Sequence, residues 1–142
     1  MADTLDPRER SERMALVRGS DTKPELVVRR ALKGLVRSFR LRPSNLPGRP
    51  DIVLPSLRRA IFVHGCFWHR HANCARTRTP KSRVPFWSAK FESNVRRDRR
   101  KNAQLRLLGW NVSVIWECKT EDESILLRRL RAVLARSRSH QR

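Results

Sequence analysis

From Pro50 to His71 the chain reads PDIVLPSLRRAIFVHGCFWHRH. Two apolar, β-branched runs stand in it, Asp51–Leu54 and Ala60–His64, separated by the turn-forming stretch Pro55-Ser56-Leu57-Arg58. The pattern predicts two buried strands paired as a hairpin. The hairpin opens on a carboxylate and ends on a histidine. Cysteine and two more histidines follow within seven residues of His64.

Upstream, Asp21-Thr22-Lys23-Pro24-Glu25 is a helix start: Thr22 caps, Glu25 stands three residues on as in a capping box, and Pro24 lies in the first turn. Leu26, Val27, Ala31, Leu32 and Leu35 form a helical stripe that runs to about Ser38. Phe39–Arg42 alternates as a short strand, and Pro43 to Pro50 is a loop. Residues 1–20 read as a polar N-terminal arm carrying Met14. Downstream, residues 65–84 have no periodicity. Phe86 to Leu108 is a long basic helix whose apolar stripe (Phe91, Val95, Ala103, Leu105, Leu108) is interrupted by Arg96, Arg97, Arg99 and Arg100. Gly109 ends it. Trp110–Trp116 is a third buried strand, Glu121–Arg138 a closing amphipathic helix, and 139–142 a frayed tail. The order is α-β-β-β-α-β-α, an α/β mixed sheet flanked by helices in a single domain over 21–138.

The 142 residues hold 33 Lys+Arg against 13 Asp+Glu, a formal net charge of +20. A surface this basic is matched to a polyanion. Arginine heavily outnumbers lysine, and its planar fork suits phosphate and guanine. No apolar run approaches the roughly 20 residues of a membrane span, and MADTLDPRER lacks the apolar core of a signal peptide. The expected setting is therefore cytoplasmic.

Acids are scarce. Between Leu26 and Phe91 the only one is Asp51. A carboxylate at the head of a buried strand is costly unless paired. It either caps a turn or meets an arginine, or it ligates a divalent cation such as Mg²⁺ beside a phosphate-binding surface. Glu25 is the second candidate acid, with the capping box as its structural role. His64, His69 and His71 are three of the four histidines, and one of them is a candidate general base for water.

Three cysteines are poor material for a disulfide framework. Cys66-x4-His71-x2-Cys74, with Cys118 after the third strand, instead gives four ligands of the kind that structural zinc prefers. Reduced, unligated thiols are the alternative. The aromatics Phe67-Trp68 and Phe86-Trp87 either pack in the core or wedge between base pairs of distorted DNA, as Met14 would from the other groove.

The runs LPGRPDIVLP, IFVHGCFWHRH, NVRRDRR, LGW and VIWEC together resemble the very-short-patch repair endonucleases, the Vsr family of T:G mismatch endonucleases. The resemblance extends from about Arg8 to Cys118. It implies a restriction-endonuclease-like core. It also implies Mg²⁺ held by Asp51 and the Val63 backbone carbonyl, with Glu25 on metal-bound water. His69 would activate water, His64 would assist at the phosphate and Asp98 would orient. Zinc would be held by Cys66, His71, Cys74 and Cys118. Phe67, Trp68 and Trp87 would intercalate from the major groove, with the arm in the minor groove.

The implied reaction is a nick 5′ to the mispaired T left by 5-methylcytosine deamination, leaving a 5′-phosphate. The implied partners are mismatched double-stranded DNA and the downstream repair polymerase and mismatch repair proteins, with the enzyme a monomer. Two other readings stay open: a same-fold endonuclease of restriction-type specificity, and a non-catalytic zinc-stapled DNA-binding module.

Overall fold

A computed structural model describes residues 21–139, with side chains as far as residue 135. The arm over 1–20, with Met14, and residues 140–142 of the tail lie outside the described residues. The described chain runs α1 (Lys23–Lys33), β1 (Arg40–Leu41), β2 (Ile52–Leu54), β3 (Arg59–His64), α2 (Val84–Leu107), β4 (Asn111–Trp116) and α3 (Glu123–Ser139). Short 3₁₀ turns cover Pro55–Leu57 and Glu117–Thr120.

The four strands form one mixed sheet in the order β1-β2-β3-β4. The β2–β3 hairpin is antiparallel, with Ile52 opposite Ile61 and Val53 opposite Ala60. β4 returns parallel to β3 after α2, with His64 opposite Trp116. Alternation along the strands sends residues to two cores. On one face Ile52, Leu54, Ile61 and Ile115 pack with Val28 and Leu32 of α1 and Leu126 and Leu130 of α3. On the other face Val53, Ala60 and Phe62 pack with Leu105 of α2. Helices on both faces explain why β2 is apolar at every position and buried at every position.

Several element boundaries differ from the sequence expectations. α1 stops at Lys33, not near Ser38, because Gly34 takes the C-cap and donates back to Ala31 and Leu32. Leu35, Val36 and Phe39 still pack on the core from the turn that follows, whereas Leu26 is exposed. The Phe39–Arg42 strand shrinks to two residues, ended by a left-handed Arg42. α2 begins at Val84, before Phe86, with Pro85 in its first turn. α3 begins at Glu123, where Asp122 Oδ1 accepts the Ser124 and Ile125 N–H groups.

The expected stripe of α2 is also corrected. Trp87, Phe91, Asn94 and Leu105 face inward, with Asp98 half-buried between them, while Ala103 and Leu108 are exposed. The spacing is helical, but two inward positions are polar. Arg96, Arg97, Arg99 and Arg100 are all exposed, a basic surface on a folded helix. Among the described residues, no helix is long and apolar enough to cross a membrane.

Candidate active site and metal centre

The turn before β2 delivers Asp51, and the hydrogen bonding of the hairpin fixes it. Asp51 Oδ2 accepts the Val63 N–H at 2.7 Å. Its Oδ1 lies 3.1 Å from Arg42 Nη2. Glu25 arrives from the first turn of α1 and is 3% exposed. Its N–H donates to Thr22 Oγ1 as the capping box expects, but its Oε2 accepts the Asp21 N–H instead of that of the N-cap Thr22. Its Oε1 turns to the same Arg42 nitrogen at 2.7 Å, and Arg29 lies 3.3 Å from Oε2. Of the alternatives weighed for Asp51, the ion pair with an arginine is present, and the same arginine brings Glu25 to it as a second acid. Burial drives the Asp51 carboxyl up to about 6. The Val63 N–H opposes that rise, the nearby Glu25 charge adds to it, and the positive charges of Arg42 and His69 oppose it. Burial thus outweighs the Arg42 ion pair at this carboxyl.

His64 ends β3 on the face shared with Phe62, ring centroids 5.5 Å apart. His69 folds back after the turn in which its N–H bonds to Gly65 O. The two imidazoles stack with centroids 3.8 Å apart and planes 4° apart. His69 Nδ1 lies 2.6 Å from Asp98 Oδ2 on the inward face of α2. Burial pushes the Asp98 carboxyl up, but the His69 hydrogen bond and the charges of His69, His64 and Arg97 outweigh it and hold it below its ordinary value. Burial, with the charge of His69 beside it, lowers His64 to about 3, so it is neutral at physiological pH. The carboxylate holds the His69 ring through Nδ1, an arrangement in which the other ring nitrogen can accept a proton.

A second cluster closes the irregular segment. One ligand atom from each of Cys66, His71, Cys74 and Cys118 lies within 4.8 Å of the others. His71 Nδ1 is 3.6 Å from both Cys66 Sγ and Cys118 Sγ. Its ring stacks on Trp116, 4.2 Å between centroids. Three contacts hold the loop around it. The Thr77 hydroxyl donates to His71 O at 2.7 Å, the His71 N–H to Cys66 O at 3.0 Å, and the Cys66 N–H to Glu117 Oε1 at 3.3 Å. Burial pushes the Cys66 thiol up to about 12, whereas the Arg76 N–H draws the half-buried Cys74 down. This set can hold a metal ion.

The aromatics form one cluster. Phe67 meets Trp68 and Phe91 edge-on, each at 5.1 Å, and Trp68 lies 5.7 Å from Trp87. Trp87 is only 4% exposed, so in this conformation it is the packing floor, with Phe67 and Trp68 half-buried above it. Phe86 is exposed. Four residues of the site were not singled out in the sequence. Arg42 bridges the acids. Asn94 donates to Trp68 O at 3.2 Å. Glu117 and Thr77 brace the cysteine loop. Asn94 alone had a detectable signal, as a polar residue in step with Trp87, Phe91 and Asp98.

A buried acid pair and a carboxylate-held histidine, in a chain carrying +20, have the chemistry that cleaving a phosphodiester in DNA calls for. A sequence model described as "DNA mismatch endonuclease Vsr" matches residues 2–76. The chain is 48% identical over 134 residues to the type II nicking enzyme V.XorIIP of Xanthomonas oryzae, covering 94% of this chain and 98% of that protein. It is 43% identical over 118 residues to the DNA mismatch endonuclease Vsr of Escherichia coli, covering 83% and 75%. Similarity to the type II nicking enzyme V.NmeAIP of Neisseria meningitidis is 36% over 132 residues, 92% of each chain. The chain belongs to the Vsr family, and it is a DNA endonuclease.

Proposed function

We propose that the chain nicks DNA 5′ to the T of a T:G mispair, leaving a 5′-phosphate and starting very-short-patch repair of deaminated 5-methylcytosine. The observation that carries this reading is the Asp98–His69 pair, 2.6 Å apart, within electrostatic reach of Asp51. His69 takes a proton from the attacking water through its free nitrogen, and Asp98 stabilises the imidazolium that results. His64, neutral and stacked on His69, donates toward the scissile phosphate. The exposed arginines of α2 bind the flanking phosphates. Phe67 and Trp68 enter the unstacked step, and Trp87 backs them. Met14 and the arm take the opposite groove.

Asp51 and the Val63 carbonyl would hold Mg²⁺, with Glu25 completing the acid pair, and two buried carboxylates gathered around one cationic atom fit such an ion. When bound, the ion neutralises charge on the scissile phosphate and lowers the pKa of water. The Cys66, His71, Cys74 and Cys118 set suits structural zinc. Tetrahedral zinc, with bonds of about 2.3 Å to sulfur and 2.0–2.1 Å to nitrogen, has a sulfur–nitrogen edge of about 3.6 Å, which matches the two S···N separations of 3.6 Å. The core around the site is read as restriction-endonuclease-like. The enzyme acts in the cytoplasm as a monomer, with the repair polymerase and mismatch repair proteins acting downstream.

The test is nicking of T:G and fully paired duplexes with and without Mg²⁺. The proposal expects Mg²⁺-dependent nicking of the T:G duplex only, lost in Asp51→Ala with DNA binding kept. Binding without cutting would establish a binding module. Equal cutting of paired DNA would establish a restriction-type enzyme.

A further inference from the structure

Arg42 leaves β1 with a left-handed backbone, φ 45°, and its side chain runs straight to the acid pair. A single atom, Nη2, lies 2.7 Å from Glu25 Oε1 and 3.1 Å from Asp51 Oδ1. The two carboxylates come from different elements, so one cationic atom joins α1 to the head of β2. The guanidinium is not used as a two-pronged fork: its Nε is buried with no hydrogen-bond partner. It acts as a point charge between two acids, the arrangement a divalent cation takes.

Its neighbours differ in how they are held. The acid side chains are 4% and 13% exposed, whereas that of Arg42 is 26% exposed. Arg42 therefore reaches in from nearer the surface than either acid, although its Nε is buried. Arg29, the other cation on Glu25, is held by Asp21 at 2.7 Å and does not bridge to Asp51 in this way. A DNA phosphate is the anion best suited to draw Arg42 outward.

We propose that Arg42 is a built-in counter-cation that occupies the acid pair in the DNA-free protein and yields it to the divalent metal when the DNA backbone takes its guanidinium. The inference rests on reading Asp51 as a metal carboxylate. Metal and DNA then bind with positive coupling carried by one positioning residue.

The test measures Mn²⁺ binding by the paramagnetic resonance of free Mn²⁺, using the full chain. It compares wild type, Arg42→Gln and Arg42→Lys, each alone and with a T:G duplex whose scissile bridging oxygen is replaced by methylene. Asp51→Asn isolates binding at this site from binding at the cysteine cluster. Free Arg42→Gln is expected to bind Mn²⁺ about tenfold tighter than free wild type, and DNA to tighten wild type by about tenfold but Arg42→Gln by less than about threefold. Equal affinity of the two free proteins, or equal tightening by DNA, overturns the gate. If Arg42→Gln does not fold, Arg42→Lys decides. It keeps the charge but holds two acids less well, so its free affinity rises about threefold, and an unchanged affinity overturns the proposal. If no binding is sensitive to Asp51→Asn even with DNA, the metal reading of Asp51 falls with it.

Discussion

Replacing Asp51 by Asn should stabilise the Mg²⁺-free protein while abolishing nicking. The carboxyl is buried, and its pKa rises from 3.8 to about 6. At about 1.36 kcal/mol per pH unit, that rise corresponds to about 3 kcal/mol of destabilisation once the group is ionised. The sign follows from proton binding. Between pH 3.8 and about 6 the folded state holds the Asp51 proton more tightly than the unfolded chain, so stability falls as pH rises through that window. Asparagine keeps an acceptor for the Val63 N–H and carries no charge. Arg42 loses one acid but keeps Glu25 at 2.7 Å, so the net gain lies below the full value, at about 1–3 kcal/mol at pH 8. His64 titrates with the opposite sign. Its pKa falls to about 3, so both proteins lose stability as pH drops below about 6.5. That loss is common to wild type and variant and cancels in their difference. The assay is urea unfolding at pH 8 and pH 4.5 without added divalent cations and without chelator, with wild type and variant prepared alike. The difference should be largest at pH 8 and shrink strongly at pH 4.5, and Mg²⁺ should stabilise wild type alone. A variant less stable than wild type at pH 8, or a difference that ignores pH, would refute the argument.

Three further outcomes follow from other parts of the site. Asp98→Asn should lower single-turnover nicking by about 10²–10⁴-fold with DNA affinity unchanged, because His69 loses the carboxylate that holds its ring and stabilises its charge; parallel losses in binding would argue for a merely structural role. Cys118→Ser should reduce zinc from about one per chain to a small fraction and lower the unfolding midpoint in urea, as elemental analysis and circular dichroism would report. Trp87→Ala should cost about 3–5 kcal/mol of stability as a buried core truncation. Trp68→Ala, half-buried, should cost far less stability but weaken preference for T:G over paired duplex, and an equal stability loss would place both tryptophans in the core.

The parts legible in the sequence were those set by short-range pattern. The Asp51–His64 hairpin announced itself because a strand covered on both faces has no polar interruption, and Pro55 and Arg58 mark the turn. The cysteine cluster was legible because Cys66, His71 and Cys74 are close in the chain and only Cys118 had to be brought across from the end of β4. The inward face of α2 was not, because periodicity scores apolar residues while the fold buries Asn94 and half-buries Asp98 there. Those are the positions that hold Trp68 and His69. Arg42 was invisible for another reason. It is one arginine among many, just past a two-residue strand, and only the tertiary approach of α1 to the head of β2 gives it two acids.

The same reasoning connects the charge of the chain to its chemistry. An excess of positive charge draws DNA, with an affinity that falls by about 0.9 in log–log slope for each phosphate neutralised. If Asp51 and Glu25 hold the metal as proposed, the same charge works against it, since an entering cation meets the field of Arg42 and Arg29 at those acids. Burial sharpens that conflict, because desolvation strengthens every one of these interactions. DNA resolves it by supplying the missing anions: each phosphate seated on the arginines lowers the local positive potential and removes a competitor for the carboxylates. On the proposed metal reading of Asp51, a strongly basic nuclease with few acids would be biased toward loading its metal on DNA, so that discrimination would begin at the ion.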